Sequence, residues 1–492
     1  MTERLNPEQM SPVLRAALMR GLTSRRALVT GALGLGATAA LTACGSEGTA
    51  TSTASGSASK TAAAAQDMSD TEKVVNWSNW TQYIDVSEDE KTRPTLDAFT
   101  KDTGITVNYT VLPENELRDK VTQDVATQAG QYDVATVGAY EVPIWAKNGW
   151  LHEVGGYASK DPAFDMADIL KPMVQSLSGP DGNLYAIPFY GESSMLMYRK
   201  DVMAAKGITV PERPTWQEVA DIAAKVDGAE PGMKGICLRG LPGWGEMFAP
   251  LTTVVNTFGG TWFTKDWKAQ VNSPEFTQAV KFYADLIKAH GEAGASQAGF
   301  SECLNALSQG KVAMWYDATS AAGSLEDPSI SKAAGKIGYA YAPVVKTKTS
   351  GWLWTWAWAM PKTTKKADPA SKFMLWASGK EYEKLVGEKL GWSRVPAGKR
   401  ASTYEIPQYK TAAAAFGDIT LKSIQGAQPT DPGVQPRPTV GVQFVGVPEF
   451  ADLGTKVSQQ ISAVLAGNGT VDQALADGQK LAETVASKYA GK

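Results

Sequence analysis

Short apolar runs alternating with amphipathic helical stretches constrain this chain more than any other feature. That alternation predicts an α/β protein. Residues 73–76 read as a first strand. Ile105, Val107, Tyr109 and Val111 alternate with Thr106, Asn108 and Thr110, which predicts a half-buried second strand, and residues 132–137 predict a third. The helices are clearly punctuated. Thr215-Trp216-Gln217-Glu218 is a capping box, followed by Val219, Ile222, Ala223 and Val226 on one face. Ser273-Pro274 opens a helix carrying Phe276, Val280, Tyr283 and Ile287 and closed by Gly291. Asp368-Pro369 opens another that buries Phe373 and Trp376. A chain of 492 residues exceeds one core and suits two or three domains. Beyond Pro396 the pattern loosens into Pro-rich segments over residues 429–438, then a polar helical tail from Ala451.

The N-terminus reads as an address. Arg25-Arg26 stands before an uncharged Gly/Ala-rich stretch over residues 27–43, short for a bilayer span and right for a signal sequence. The stretch ends Leu41-Thr42-Ala43-Cys44-Gly45, which resembles a bacterial lipobox with Cys44 as the lipidated first residue of the mature chain. The arginine pair resembles a twin-arginine export signal, and Arg15 and Arg20 upstream also suit the general route. Residues 1–43 are therefore expected to be a signal peptide. Residues 44–72, dominated from Ser46 to Ala65 by Ser, Thr, Ala and Gly, are expected to form a flexible tether. The folded body would sit exported, on the outer face of the cytoplasmic membrane. There Cys237 and Cys303 either form a disulfide or remain two separate buried thiols.

A net charge of −3 offers no basic field for nucleic acid. Two histidines, His152 and His290, and three cysteines cannot furnish the usual His/Cys zinc site, and no metal or cofactor is assigned. Nucleophile elbow, zinc-protease and phosphate-loop motifs are absent, so an enzyme is not expected. A glycosidase needs only two carboxylates, and Glu192 with Asp317 would be that pair.

Fifteen Trp is a high count, and they cluster. Trp77 and Trp80 follow the first strand, and Trp244 lies in the Gly-rich run Gly240-Leu241-Pro242-Gly243-Trp244-Gly245-Glu246. Trp352, Trp354, Trp356 and Trp358 occupy alternate positions, so a strand would project them from one face. Either the ladder packs under helices, with one or two rings reaching a cleft, or it forms a binding surface. Trp358, just before Met360-Pro361, reads as core. Indole faces cover the C–H surface of a polyhydroxylated ligand, while carboxylates and guanidiniums bond its hydroxyls. Charged candidates on expected loops are Glu141, Glu192, Arg239, Glu246, Asp317, Arg394 and Arg437. Asp317 follows an aromatic pair at a strand end, and open α/β sheets bind ligands off the carboxyl ends of strands.

Several segments resemble extracytoplasmic solute-binding proteins of sugar ABC importers. They are Tyr185-Ala186-Ile187-Pro188-Phe189, Met197-Tyr198-Arg199-Lys200-Asp201 and Pro214-Thr215-Trp216-Gln217-Glu218. Between Gly243 and Lys380 the chain is similar to the sorbitol/mannitol-binding branch. That stretch holds Asn256-Thr257-Phe258-Gly259-Gly260, Gly310-Lys311-Val312-Ala313-Met314-Trp315-Tyr316-Asp317 and Trp354-Thr355-Trp356-Ala357-Trp358-Ala359-Met360-Pro361-Lys362. The opening Asn76-Trp77-Ser78-Asn79-Trp80-Thr81-Gln82-Tyr83-Ile84-Asp85 looks more like spermidine/putrescine-binding proteins.

The resemblance implies a two-lobed periplasmic-binding-protein-like fold of type II, with the ligand in the cleft. Lobe 1 would hold residues 73–190 and about 360–405, and lobe 2 residues 191–359 and about 406–492. The protein would be a monomer that captures a linear polyol or small sugar and delivers it to ABC permease subunits. Polyamine binding is the alternative. Carried onto this sequence, the expected ligand contacts are Trp80, Tyr140, Glu141, Glu192, Arg239, Trp244, Glu246, Asp317, Trp352, Trp354, Trp356 and Arg394.

Overall fold

Two mixed β-sheets organise the chain, and a single residue separates them at the first passage from one to the other. The computed structural model describes residues 67–80, 84 and 93–491. The expected signal peptide, the expected lipidation site Cys44 and the expected tether up to residue 66 lie outside the described residues.

The first sheet has five strands in the order β2-β1-β3-β9-β4. These are β1 (Val74–Trp80), β2 (Thr106–Leu112), β3 (Val134–Gly138), β4 (Ala186–Glu192) and β9 (Trp354–Ala359). β1 runs parallel to β2 and β3, whereas β9 is antiparallel to both β3 and β4. The second sheet has the order β6-β7-β5-β8, from β5 (Ser194–Arg199), β6 (Lys234–Cys237), β7 (Val312–Ala318) and β8 (Ile337–Tyr341). Ser193 alone lies between β4 and β5. Its backbone N–H donates to Thr319 Oγ1 and its carbonyl accepts from the Thr319 N–H, which ties the crossing to the end of β7. The chain is two-lobed, one sheet to each lobe.

At two of the three helices the punctuation behaves as the sequence predicts, whereas the third begins at Ala367 with Lys366 at its cap and leaves Trp376 half-buried. Thr215 caps the helix Trp216–Val226 in a full capping box, and Ser273 caps Pro274–His290, which buries Phe276, Val280, Tyr283 and Ile287. The first strand differs from expectation by continuing to Trp80. Its polar stretch stays in the sheet because partners across the strands satisfy it. Thr136 Oγ1 donates toward the Ser78 carbonyl and Asn79 Oδ1, and Asn79 Nδ2 donates to the Tyr109 hydroxyl. β2 alternates exposed and half-buried residues as an edge strand does.

One lobe boundary needs correction. β9 was expected with lobe 2, yet it is hydrogen-bonded into the first sheet, where it fills the gap between β3 and β4 and pairs both of their edges. The return passage therefore falls between Tyr341 and Trp354. Past the helix Gly417–Gln425, which packs against β5 and β8, the chain enters an irregular loop over residues 427–448. It ends in the paired helices Phe450–Leu465 and Val471–Ala486, which pack on Pro274–His290 in the second lobe.

Candidate functional site

Between the lobes lies a tight cleft with about 20 Å³ of free space, room for about one water molecule, so a small ligand enters only if the lobes part. Its first wall is the end of the five-stranded sheet. Trp354 and Trp356 sit two apart on β9, and Trp80 closes β1 with its ring 5.6 Å from that of Trp356. In the antiparallel register Glu192 stands directly opposite Trp354, so both side chains leave the same face. Gly138 of β3 makes room for this arrangement. A Cβ there would lie 1.9 Å from Trp354 Cζ2, so only glycine lets the indole lie on the strand.

A buried ion network supports the rings. Glu114 and Arg118 are one turn apart on the helix Glu114–Thr127, with Arg118 Nη2 2.8 Å from Glu114 Oε1. Arg118 Nη1 donates to Glu141 Oε1, and Glu141 Oε2 accepts the Gly138 N–H at 3.1 Å. The guanidinium faces three indoles, 4.4 Å from the Trp244 centroid, 4.6 Å from Trp356 and 5.3 Å from Trp354.

The second lobe contributes a contrasting wall. Arg239, two residues past β6, donates through Nε and Nη2 to both oxygens of Asp317 at 2.7 and 2.6 Å, and through Nη1 to Glu246 Oε2 at 3.1 Å. Trp315 Nε1 donates to the same Asp317 at 3.0 Å. Phe300 lies under the Arg239 guanidinium and reaches across to Trp80, ring centroids 5.4 Å apart. Cys237 and Cys303 are bonded, and their staple joins β6 to the helix Phe300–Ser308, two residues from Arg239 and three from Phe300. Among the described residues the one group of candidate metal ligands is Cys237, Glu292 and Cys303, and the disulfide takes both thiols out of play.

Burial raises two of the acids, Glu192 and Glu246. It pushes the Glu192 carboxyl up to about 8, although Ser320 Oγ donates to Oε2 at 2.6 Å and opposes the shift. Burial, with Glu114 nearby, likewise raises Glu246. Burial by itself would lower Arg239, but Asp317 and Glu246 outweigh it and hold the guanidinium firmly charged. Two buried polar atoms on the cavity lining have no hydrogen-bond partner among the described residues, the Trp352 Nε1–H donor and the Gln443 Oε1 acceptor.

Six of the expected contacts line the cavity: Trp80, Glu192, Arg239, Trp352, Trp354 and Trp356. Five others stand one layer behind, four of them with polar atoms already used. Asp317 and Glu246 hold Arg239, Glu141 holds Arg118, Trp244 stacks on Arg118, and the Tyr140 hydroxyl donates to the Val447 carbonyl at 2.6 Å. Arg394 is not at the cavity. It pairs with Asp327 at 3.2 Å. Trp358 also departs from the ladder and packs against Phe189 and Trp77 in the first lobe's core, ring centroids 4.3 and 5.1 Å away.

Sequence reasoning missed Glu114, Arg118, Phe300, Ser320, Gln443 and Phe444 on the lining. Ser320 was within reach of the strand-end rule that picked out Asp317, being three residues further on. Glu114 and Arg118 look like any surface i,i+4 pair, and Gln443 and Phe444 sit in an irregular loop with no periodicity to mark them.

Against this geometry, residues 85–384 match the model of the family described as bacterial extracellular solute-binding protein. The chain belongs to that family. It is 41% identical over 377 residues to the mannitol-binding protein of Pseudomonas aeruginosa, covering 76% of this chain and 85% of that one. A solute-binding protein from Agrobacterium vitis, solved with bound D-mannitol, superposes with a TM-score of 0.80 at 46% identity, covering 84% of this chain and 98% of the other. A ribitol complex from Agrobacterium radiobacter shares the fold at 22% identity and a TM-score of 0.71, covering 84% and 98%. These relatives are binding components of transporters rather than enzymes. The glycosidase reading falls with them, and both oxygens of Asp317 are in any case committed to Arg239 and Trp315.

Proposed function

We infer that the protein captures a linear polyol, D-mannitol first, and delivers it to an ABC permease. The observation that carries this reading is the cavity itself. Indole faces from Trp80, Trp354 and Trp356 meet an unpaired donor, an unpaired acceptor and a Glu192 carboxyl that burial holds neutral near pH 7. A neutral carboxyl both donates and accepts, as a hydroxyl does, so it suits an uncharged polyhydroxylated guest. The 41% identical mannitol-binding relative and the 46% identical mannitol complex point to the same ligand class. A polyamine would need ionised, unpaired carboxylates, whereas the buried acids here are held by Arg118, Arg239 or a proton.

The mechanism follows from the two walls. The ligand settles on the indole platform, and hinge closure about the single-residue crossing at Ser193 brings Arg239 and Phe300 over it. It biases the equilibrium only through its extra affinity for the closed state. We further propose that Cys44 carries a lipid anchor, that the body works as a monomer on the outer face of the membrane, and that the permease reads the closed form.

Thermal shift with D-mannitol, sorbitol, arabinitol, maltose and spermidine tests the reading. The expected result is stabilisation by the hexitols, with the midpoint rising with their concentration. A shift with spermidine alone would overturn it. For the anchor, Cys44→Ala should release the protein from the membrane fraction, and continued detergent partitioning of that variant would contradict lipidation.

A further inference from the structure

The loop over residues 427–448 has no regular structure, yet it is tied down at several points. Gly441 N–H donates to the Pro429 carbonyl at 2.8 Å and closes its base. Its outer part is fastened to the second lobe. Asn256 Nδ2 donates to the Val442 carbonyl at 2.9 Å, Arg437 Nη2 donates to Asn256 Oδ1 at 3.1 Å, and Gln435 Nε2 donates to the Gly259 carbonyl at 2.7 Å. Its inner part reaches the first lobe. The Tyr140 hydroxyl donates to the Val447 carbonyl, and the Phe444 ring meets Trp354 edge-on at 5.3 Å and Tyr140 at 6.0 Å. Between those two sets of ties, Gln443 and Phe444 line the cavity, and the buried Gln443 Oε1 has no partner among the described residues.

We propose that this loop is a latch whose Gln443 and Phe444 form the end wall of the cavity and set the length of ligand accepted. The proposal rests on the polyol reading above. A side chain fixed to one lobe and touching the other is in place only when the lobes are together, so the end wall is completed by closure itself. Gln443 Oε1 then accepts from the last hydroxyl of a chain of the right length. Phe444, wedged against Trp354, denies space to anything longer. Specificity built this way is partly repulsive, by exclusion at one end.

The test uses a ladder of neutral ligands on the purified chain: erythritol, ribitol, D-mannitol, and maltitol, which is a hexitol bearing one extra glucose. Calorimetry reads affinity and stopped-flow tryptophan fluorescence reads release. For the unaltered protein, mannitol should bind best and maltitol poorly. Phe444→Ala should weaken mannitol about tenfold and tighten maltitol by a similar factor, so that the preference between them falls about a hundredfold. Tyr140→Phe leaves every cavity side chain in place and removes only the tie to Val447. It should speed release of every polyol roughly three- to tenfold without reordering the ladder. Phe444→Ala with the ladder unchanged, or Tyr140→Phe with unaltered release, overturns the latch. If the unaltered protein binds no polyol at all, the polyol reading fails instead, and the two failures are distinguishable. Should Phe444→Ala not fold, the release rate of the conservative Tyr140→Phe still decides.

Discussion

The two walls of the cavity solve the same problem with different physics. The first-lobe wall is a platform of rings, Trp80, Trp354 and Trp356, with the Arg118 guanidinium over the last two. The second-lobe wall is an ion cluster, Arg239 gripped by Asp317 and Glu246, with one ring, Phe300, beneath it. Rings present surface with little direction, so they tolerate a ligand that slides. A guanidinium locked at three corners keeps one spare N–H, on Nη2, at a fixed position, so it favours one pose. On the proposed mechanism the open protein would gather ligand on the first wall and test it against the second on closing.

The contrast breaks most visibly at Arg239. Arg239→Ala leaves Asp317 and Glu246 buried without their partner, which should cost about 3–5 kcal/mol of stability. A denaturant melt within 1 kcal/mol of the parent would show that the cluster is not the structural element described. On the ring side, two neighbours on β9 should behave in opposite ways. Trp356→Ala should weaken mannitol by about 2 kcal/mol, roughly thirtyfold, with a modest loss of stability. Trp358→Ala, in the core beside Trp77 and Phe189, should cost about 3–5 kcal/mol of stability, and whatever remains folded should keep its affinity. Equal effects on affinity from both would erase the distinction between platform and core.

Next in size is the staple. Reducing Cys237–Cys303, which are 66 residues apart in sequence, should cost about 2–4 kcal/mol. Because the bond joins the elements that carry Arg239 and Phe300, affinity should fall as well. Lower stability with unchanged affinity would confine its role to the fold.

A pH series sharpens the electrostatic half of the comparison. Glu192 keeps its proton in the folded protein up to about 8, whereas the unfolded chain releases it near 4.5. Over that window the folded state holds the extra proton, so stability falls as pH rises. Glu192→Gln removes this slope, and its melting temperature should drop less between pH 5 and pH 9 than the parent's. Parallel curves would place the Glu192 proton elsewhere. The smallest effect belongs to Arg394, whose pairing with Asp327 is partly exposed. Arg394→Ala should change stability by about 1 kcal/mol or less and leave polyol affinity alone.

How much of this was legible in the sequence follows from what each residue does locally. The capping box at Thr215 and the Pro274–His290 helix declare themselves because their signals lie within a few residues. Trp354 and Trp356 were legible because strand alternation is a local rule, whereas Trp352 reaches the cavity from the segment just before the strand. Trp358, singled out by the Met360-Pro361 that follows it, is in the core as expected, and the neighbouring strand pairs irregularly between Pro188 and Tyr190 beside it. The layer behind the cavity was misassigned for a general reason. Asp317, Glu246 and Glu141 carry the right chemistry for hydroxyl binding, but whether their oxygens are already used depends on Arg239 and Arg118, residues far away in the chain. Gln443 and Phe444 reach the site only through tertiary ties at Asn256 and Tyr140, which leave no periodic trace.

The most direct measurement is a crystal structure of the protein with D-mannitol. One mannitol should lie on Trp356 and Trp354, with hydroxyls bonded to Glu192, Arg239, Trp352 Nε1 and Gln443 Oε1. Mannitol bound elsewhere, or held in this cleft with those four groups out of reach, would contradict the proposed function.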